Sequence, residues 1–142
     1  MYEASVAVHV SAAIVGFGAT FSYPVIQIVG ELRDARVFAM DAILAISSWV
    51  AVPATIVVGA TGIYQLARGP YGLGDAWLAT GLGLYLAIML VAVAYLAPCY
   101  RRARDAVDEA AYASAIRRVN VVGPFVVVAV IATAVLMVVK PS

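Results

Sequence analysis

The sequence predicts an all-α integral membrane protein, a four-helix bundle with both termini outside. Three observations carry that reading. Of the 142 residues, 65% are hydrophobic and 12% charged, whereas a soluble domain is about half apolar and about a quarter charged. Mean hydropathy is +1.00, and no water-soluble interior of this size hides so much apolar surface. Four stretches then stay apolar over about 20 residues each, the length a helix needs to cross ~30 Å of hydrocarbon. Finally, the basic residues divide unevenly between the two ends these stretches define.

The first stretch, residues 4–29, follows "MYE". Its acid stands where a cleavable leader carries basic residues, so the stretch reads as a retained span. Pro24 falls inside it and is expected to kink it, freeing the carbonyl of Thr20. The connection "ELRDARVFAMD" leads to the second stretch, 42–66, where Pro53 frees the carbonyl of Trp49. After "ARGPYGLGD" comes the third, 76–97, and after "CYRRARDAVDEAAYASAIRRVN" the fourth, 121–139, with Pro124 in its first turn. In lipid each span must satisfy its own backbone, which makes all four helices. The long connection, 99–120, reads as a cytoplasmic amphipathic extension of the third helix. Its expected i,i+4 pairs are Arg101 with Asp105 and Arg104 with Asp108.

Four spans place the first and third connections at one end. Arg33, Arg36, Arg101, Arg102, Arg104, Arg117 and Arg118 lie there, against Arg68 and Lys140 at the other. The arginine-rich end is therefore cytoplasmic by the positive-inside rule. Tyr2, Tyr71 and Trp77 then fall at the outer interface and Tyr100 at the inner one. The arginines serve as topology signals or as contacts to anionic lipid headgroups. A net charge of +1 offers no basic face for nucleic acid, and the single cysteine, Cys99, excludes an internal disulfide.

Helical spacing collects small and polar residues on faces. The first helix presents Tyr2, Ser5, His9, Ala12, Gly16, Ala19 and Tyr23; the second Asp41, Ala45, Ser48, Val52, Thr55, Gly59 and Gly62; the third Gly81, Tyr85, Ile88, Ala92, Tyr95 and Cys99. These three faces are expected to meet, with the fourth helix adding aliphatic surface. Close packing accounts for small residues at this spacing. It does not account for His9, the only histidine, since an ionisable group inside a span marks function by default. At 1.5 Å per residue His9 sits ~8–10 Å below the outer surface. The same depth on the neighbouring helices reaches Gly59, Gly62, Gly81, Gly83 and Tyr85. A slot at that level suits a flat, largely apolar ligand with one polar anchor. The candidate cofactor-binding residues are His9, Ser5, Gly16, Gly59, Gly62, Gly81 and Tyr85, with His9 the candidate metal ligand.

The run "HVSAAIVGFGATFSYP", with His9, Gly16, Gly18, Tyr23 and Pro24, resembles the HemJ-type protoporphyrinogen oxidases and the CopD-type copper-resistance domain. Gly16 stands where those families usually place a tryptophan, and Val25 where the HemJ type has a basic residue. That resemblance implies His9 as an axial ligand to haem b, and extends to no catalytic residue. The whole layout resembles a family of uncharacterised bacterial predicted integral membrane proteins, which implies a multi-pass protein of the bacterial inner membrane. Three functions compete. One is a haem- or quinone-binding electron-transfer protein or redox-complex subunit, with a methionine or a second copy's histidine as the other ligand. The second is a non-catalytic accessory subunit packed on other membrane subunits. The third, an oligomeric transporter or channel, lacks an acid at mid-membrane. The expected partners are the lipid bilayer and either a second copy or other membrane subunits.

Overall fold

A computed structural model describes residues 1–139, so Lys140 of the charge asymmetry lies outside the described residues. The described chain is helical throughout, with four helices long and apolar enough to cross a membrane: Tyr2–Leu32, Arg36–Arg68, Ala76–Arg104 and Glu109–Val139. The protein is an all-helical integral membrane four-helix bundle. At most 28% of any span's most apolar stretch is buried within the protein. The remaining apolar side chains, Trp49 at 82% exposure among them, call for lipid or another membrane protein around them.

Prolines divide three of the four spans. The first comprises α1 (Tyr2–Phe21) and α2 (Tyr23–Leu32), broken at Ser22 with Pro24 in the opening turn of α2. Ser22 Oγ donates to the Ala19 carbonyl at 2.6 Å and Thr20 Oγ1 to the Phe17 carbonyl at 2.7 Å. Hydroxyls thus take up carbonyls around the kink. The second span runs α3 (Arg36–Ile46), a π-helical turn Ser47–Ala51, then α4 (Val52–Arg68) with Pro53 in its first turn. The third repeats the device: α5 (Ala76–Val91), a π-helical turn Ala92–Leu96, then α6 (Ala97–Arg104) with Pro98 in its first turn. A π turn carries one extra residue and so rotates everything beyond it. That rotation corrects the expected face of the second helix. Thr55, Gly59 and Gly62 do face inward, but Asp41, Ala45 and Ser48 are exposed, and Ala39, Met40 and Ile43 are buried instead.

The fourth span is one helix, α7 (Glu109–Val139). Pro124 therefore lies in its interior rather than its first turn, and the helix passes through it unbroken. The expected 99–120 extension is a tight reversal instead. The third helix ends at Arg104 and the fourth begins at Glu109, capped by Asp108, whose Oδ1 accepts from the Ala111 amide at 2.7 Å. Asp105 and Asp108 thus leave helical register with Arg101 and Arg104. Arg104 pairs with Asp41 at 2.6 Å across the spans, and only distantly, at 4.0 Å, with Asp105.

Short connections make consecutive spans antiparallel neighbours. The first packs on the second, and the third packs on the fourth rather than on the first. The two hairpins join at the arginine-rich end. A core of Ala39, Met40, Ile43, Cys99, Tyr100, Ala103, Tyr112, Ala115, Ile116 and Val119 sits there. Tyr100 belongs to this core, edge-on to Tyr23 with ring centroids 6.2 Å apart, and so is not a headgroup-level aromatic. Toward the opposite end the hairpins diverge, and the Tyr85 hydroxyl, donating to the Thr55 carbonyl at 2.7 Å, bridges them.

Both described ends of the chain lie opposite the arginine-rich end, which gives the orientation a direct check. A cysteine at Gly72 should react with an impermeant maleimide added from outside, and one at Val107, exposed in the reversal, should react only after permeabilisation. Cys99 is 1% exposed and should stay silent. The opposite labelling pattern would invert the topology.

Candidate functional site

Along α1, the residues Tyr2, Ser5, His9, Ala12, Gly16, Ala19 and Tyr23 are all at least partly buried, while Val8, Val10, Ile14 and Val15 are exposed. The polar face thus turns toward α4, which runs antiparallel to it. Contact proceeds in register: Gly16 against Ala54 and Thr55, His9 against Gly62, and Tyr2 against Gly69. Gly16 eases that approach, since a Cβ there would stand a tight 3.2 Å from the Ala54 Cβ.

His9 is the centre of this seam. Its Nδ1 lies 2.9 Å from Thr61 Oγ1. The Thr61 hydroxyl has one proton and donates it within its own helix, with the Val57 carbonyl at 2.6 Å and the Val58 carbonyl at 3.1 Å. Toward the imidazole it can therefore act only as acceptor. With that proton kept in its own helix, a proton on Nδ1 satisfies the network, and this tautomer carries its lone pair on Nε2. A Cβ on Gly62 would meet His9 Cε1 at 3.5 Å, so the ring rests on that glycine. One turn nearer the N-terminus of the first span, Gln65 Nε2 donates to the Ser5 carbonyl at 3.3 Å and approaches Ser5 Oγ at 3.5 Å. Behind Thr61 an open-sided cavity of about 400 Å³ is lined by Ala4, Ser5, Val8, Ala60, Thr61 and Tyr64, together with Met1.

The seven candidate residues do not line one slot. His9, Ser5 and Gly62 come together between the first two spans, with Gly16 deeper in the same seam. Gly59 is covered by Tyr85, whose hydroxyl would stand 2.9 Å from a Cβ there. Tyr85 therefore bridges to Thr55 and is not the partner of His9. Gly81 lies in the other hairpin, where the Met137 methyl fills its space at 2.7 Å. The space beside Gly16, Gly59, Gly62 and Gly81 is taken by a neighbour's side chain, whereas nothing stands within 4 Å of a Cβ at Gly83. Among the described residues no group of three His, Cys, Asp or Glu could hold a metal ion, so this chain offers a metal at this level one imidazole.

Sequence reasoning missed Thr61 and Gln65. The signal was present: the depth count that reached Gly59 and Gly62 passes Thr61 between them. The sequence alone could not say which of the three faced His9.

The family model described as Predicted integral membrane protein (DUF2269) matches residues 4–141. No curated protein and no solved structure matches the chain.

Proposed function

The chain belongs to the DUF2269 family of predicted integral membrane proteins, and from that premise we propose that it is a small redox subunit of the bacterial cytoplasmic membrane, with His9 as the anchor of haem b or a related flat cofactor. One observation supports this reading: Nδ1 lies 2.9 Å from Thr61 Oγ1, which itself reaches the Val57 carbonyl at 2.6 Å, an arrangement that would hold the imidazole with Nε2 presented. A histidine ligand ordinarily has its other nitrogen fixed this way by a second group. An imidazole N–H within a span needs an acceptor in any case; what supports the reading is that this acceptor would leave Nε2 to a ligand.

If such a group is bound, His9 would hold it. Thr61 orients the ring, Gly62 admits it, and Gln65 with Ser5 ties the two helices together one turn above. A second ligand would have to come from outside this hairpin, such as a second copy's His9, because Met137 is committed to Gly81 in the other hairpin. Such a group would supply one-electron chemistry. The divergence of the hairpins at this end leaves the first seam accessible to such a partner copy.

A second reading, a non-catalytic accessory subunit, is favoured by a different observation. Phe125, Val128, Ile131 and Val135 on the fourth span are all exposed and form an aliphatic surface suited to another membrane subunit.

The visible spectrum of protein purified in detergent from haem-replete cells decides between them. A Soret band is expected in the wild type and absent in His9→Ala, with the helical circular dichroism unchanged. Thr61→Val should weaken haem retention by roughly 10–100-fold, the usual effect of losing a ligand's orienting partner. A folded, colourless wild-type preparation would overturn the redox reading in favour of the accessory subunit.

A further inference from the structure

At the arginine-rich end, the first and fourth spans are joined by a polar cluster remote from His9. Gln27 is 5% exposed, and its Nε2 donates both to Glu31 Oε1 and to Asn120 Oδ1, each at 3.2 Å. The Tyr112 hydroxyl donates to the same Glu31 Oε1 at 2.9 Å. Arg36 lies over the Tyr112 ring, 4.7 Å from its centroid, and pairs with Glu109. Glu31, Arg36, Glu109, Tyr112, Asn120 and Arg117 line an open-sided pocket of about 370 Å³.

The charge balance of this pocket is specific. Arg36 and Glu109 satisfy each other. Glu31 receives both of its protein donors on Oε1, which leaves Oε2 free. Arg117 is exposed and has no ion-pair partner among the described residues. One acceptor and one cation therefore remain unused in the same pocket, while Nε of Arg36 is buried with no partner. The pocket's wall includes Ile116 and Val121. From Arg117 a single line of the fourth helix climbs into the bilayer through Val121, Phe125 and Val128, each exposed and spaced by three or four residues. Beside that line the first and fourth spans make little contact above Asn120.

We propose that this pocket binds an ethanolamine phospholipid, with the phosphate on Arg117, the primary ammonium on Glu31 and an acyl chain along Val121, Phe125 and Val128. The unused groups choose the headgroup. A purely anionic headgroup would satisfy Arg117 and confront Glu31 with like charge. A quaternary ammonium would satisfy the charge but could not donate to Oε2. A phosphate joined to a primary ammonium answers both, and the apolar line selects a lipid over the soluble headgroup. This assignment is independent of His9.

The test is lipid binding by the delipidated full chain in detergent, followed by native mass spectrometry with dioleoyl phosphatidylethanolamine, phosphatidylglycerol and phosphatidylcholine. The ethanolamine lipid should be retained about tenfold better than either other lipid, and Arg117→Gln should remove most of that preference. Arg118→Gln, one residue away and outside the pocket, should leave the preference intact. Glu31→Gln should also abolish it. Because Glu31 additionally holds Gln27 and Tyr112, its variant is read beside a thermal melt, and Arg117→Gln supplies the decisive comparison. Equal retention of the three lipids, or a preference that survives Arg117→Gln, would overturn the proposal. Displacement of the bound lipid by equimolar glycerophosphoethanolamine would overturn the lipid as occupant in favour of a free phosphoamine.

Discussion

Gly30→Val is expected to break the arginine-rich end of the protein. Gly30 closes the first span, and the Ala35 amide returns to its carbonyl at 2.8 Å in a Schellman-like reversal completed by Asp34, whose φ of 53° is left-handed. A Cβ built on Gly30 would overlap the Cβ of Ala39, with the Ala35 carbonyl 3.4 Å away. The Ala39 Cβ is fixed to backbone and cannot swing aside, so even alanine forces the two spans apart. Overpacking of this kind costs about 1–3 kcal/mol, and more when backbone must move. Gly81→Ala is the control, because the atom it would meet is the flexible end of Met137. Melting in detergent, followed by size-exclusion chromatography, should show Gly30→Val aggregating or melting far below wild type while Gly81→Ala stays close to it. Similar losses in the two variants would mean that the close approach of Gly30 and Ala39 is not what holds this end.

Met40→Ala should be the most damaging truncation outside the glycines. Met40 and Ile43 are both 0% exposed, beside Cys99 and Tyr100. In lipid the gain from burying an apolar group is small, and association rests on van der Waals contact. A void inside the core therefore loses contacts that lipid cannot restore. Buried Met→Ala changes cost about 2–5 kcal/mol in measured series. Leu86→Ala, on the third span and 57% exposed, should cost little, since lipid fills the space it vacates. Comparable melting of the two variants would place the stable core elsewhere. The contrast also has functional meaning. The arginine-rich end is packed, whereas the His9 end is held by the α1–α4 seam and the Tyr85 bridge, so substitutions around His9 are expected to leave the fold intact.

Some of this was legible before any coordinates. Membrane residence, the number of spans, their helical state and the uneven placement of arginines follow from composition and length, because a bilayer imposes one thickness and demands a satisfied backbone. The inward face of α1 was legible too, since its small and polar residues keep helical spacing without interruption as far as Tyr23. The tertiary structure alone decided the rest. The π turns before Pro53 and Pro98 shift the register by one residue, which no constant periodicity anticipates, so Asp41 and Ser48 turned outward and Met40 inward. The ends of α6 and α7 depended on where the chain reversed, and that moved Arg104 from Asp108 to Asp41. Thr61 became the partner of His9, and Gln27 joined Glu31 to Asn120, because antiparallel neighbours set which residues share a level. The sequence carries depth along each helix. Which helix lies across the gap, and at what rotation, is a property of the packed whole.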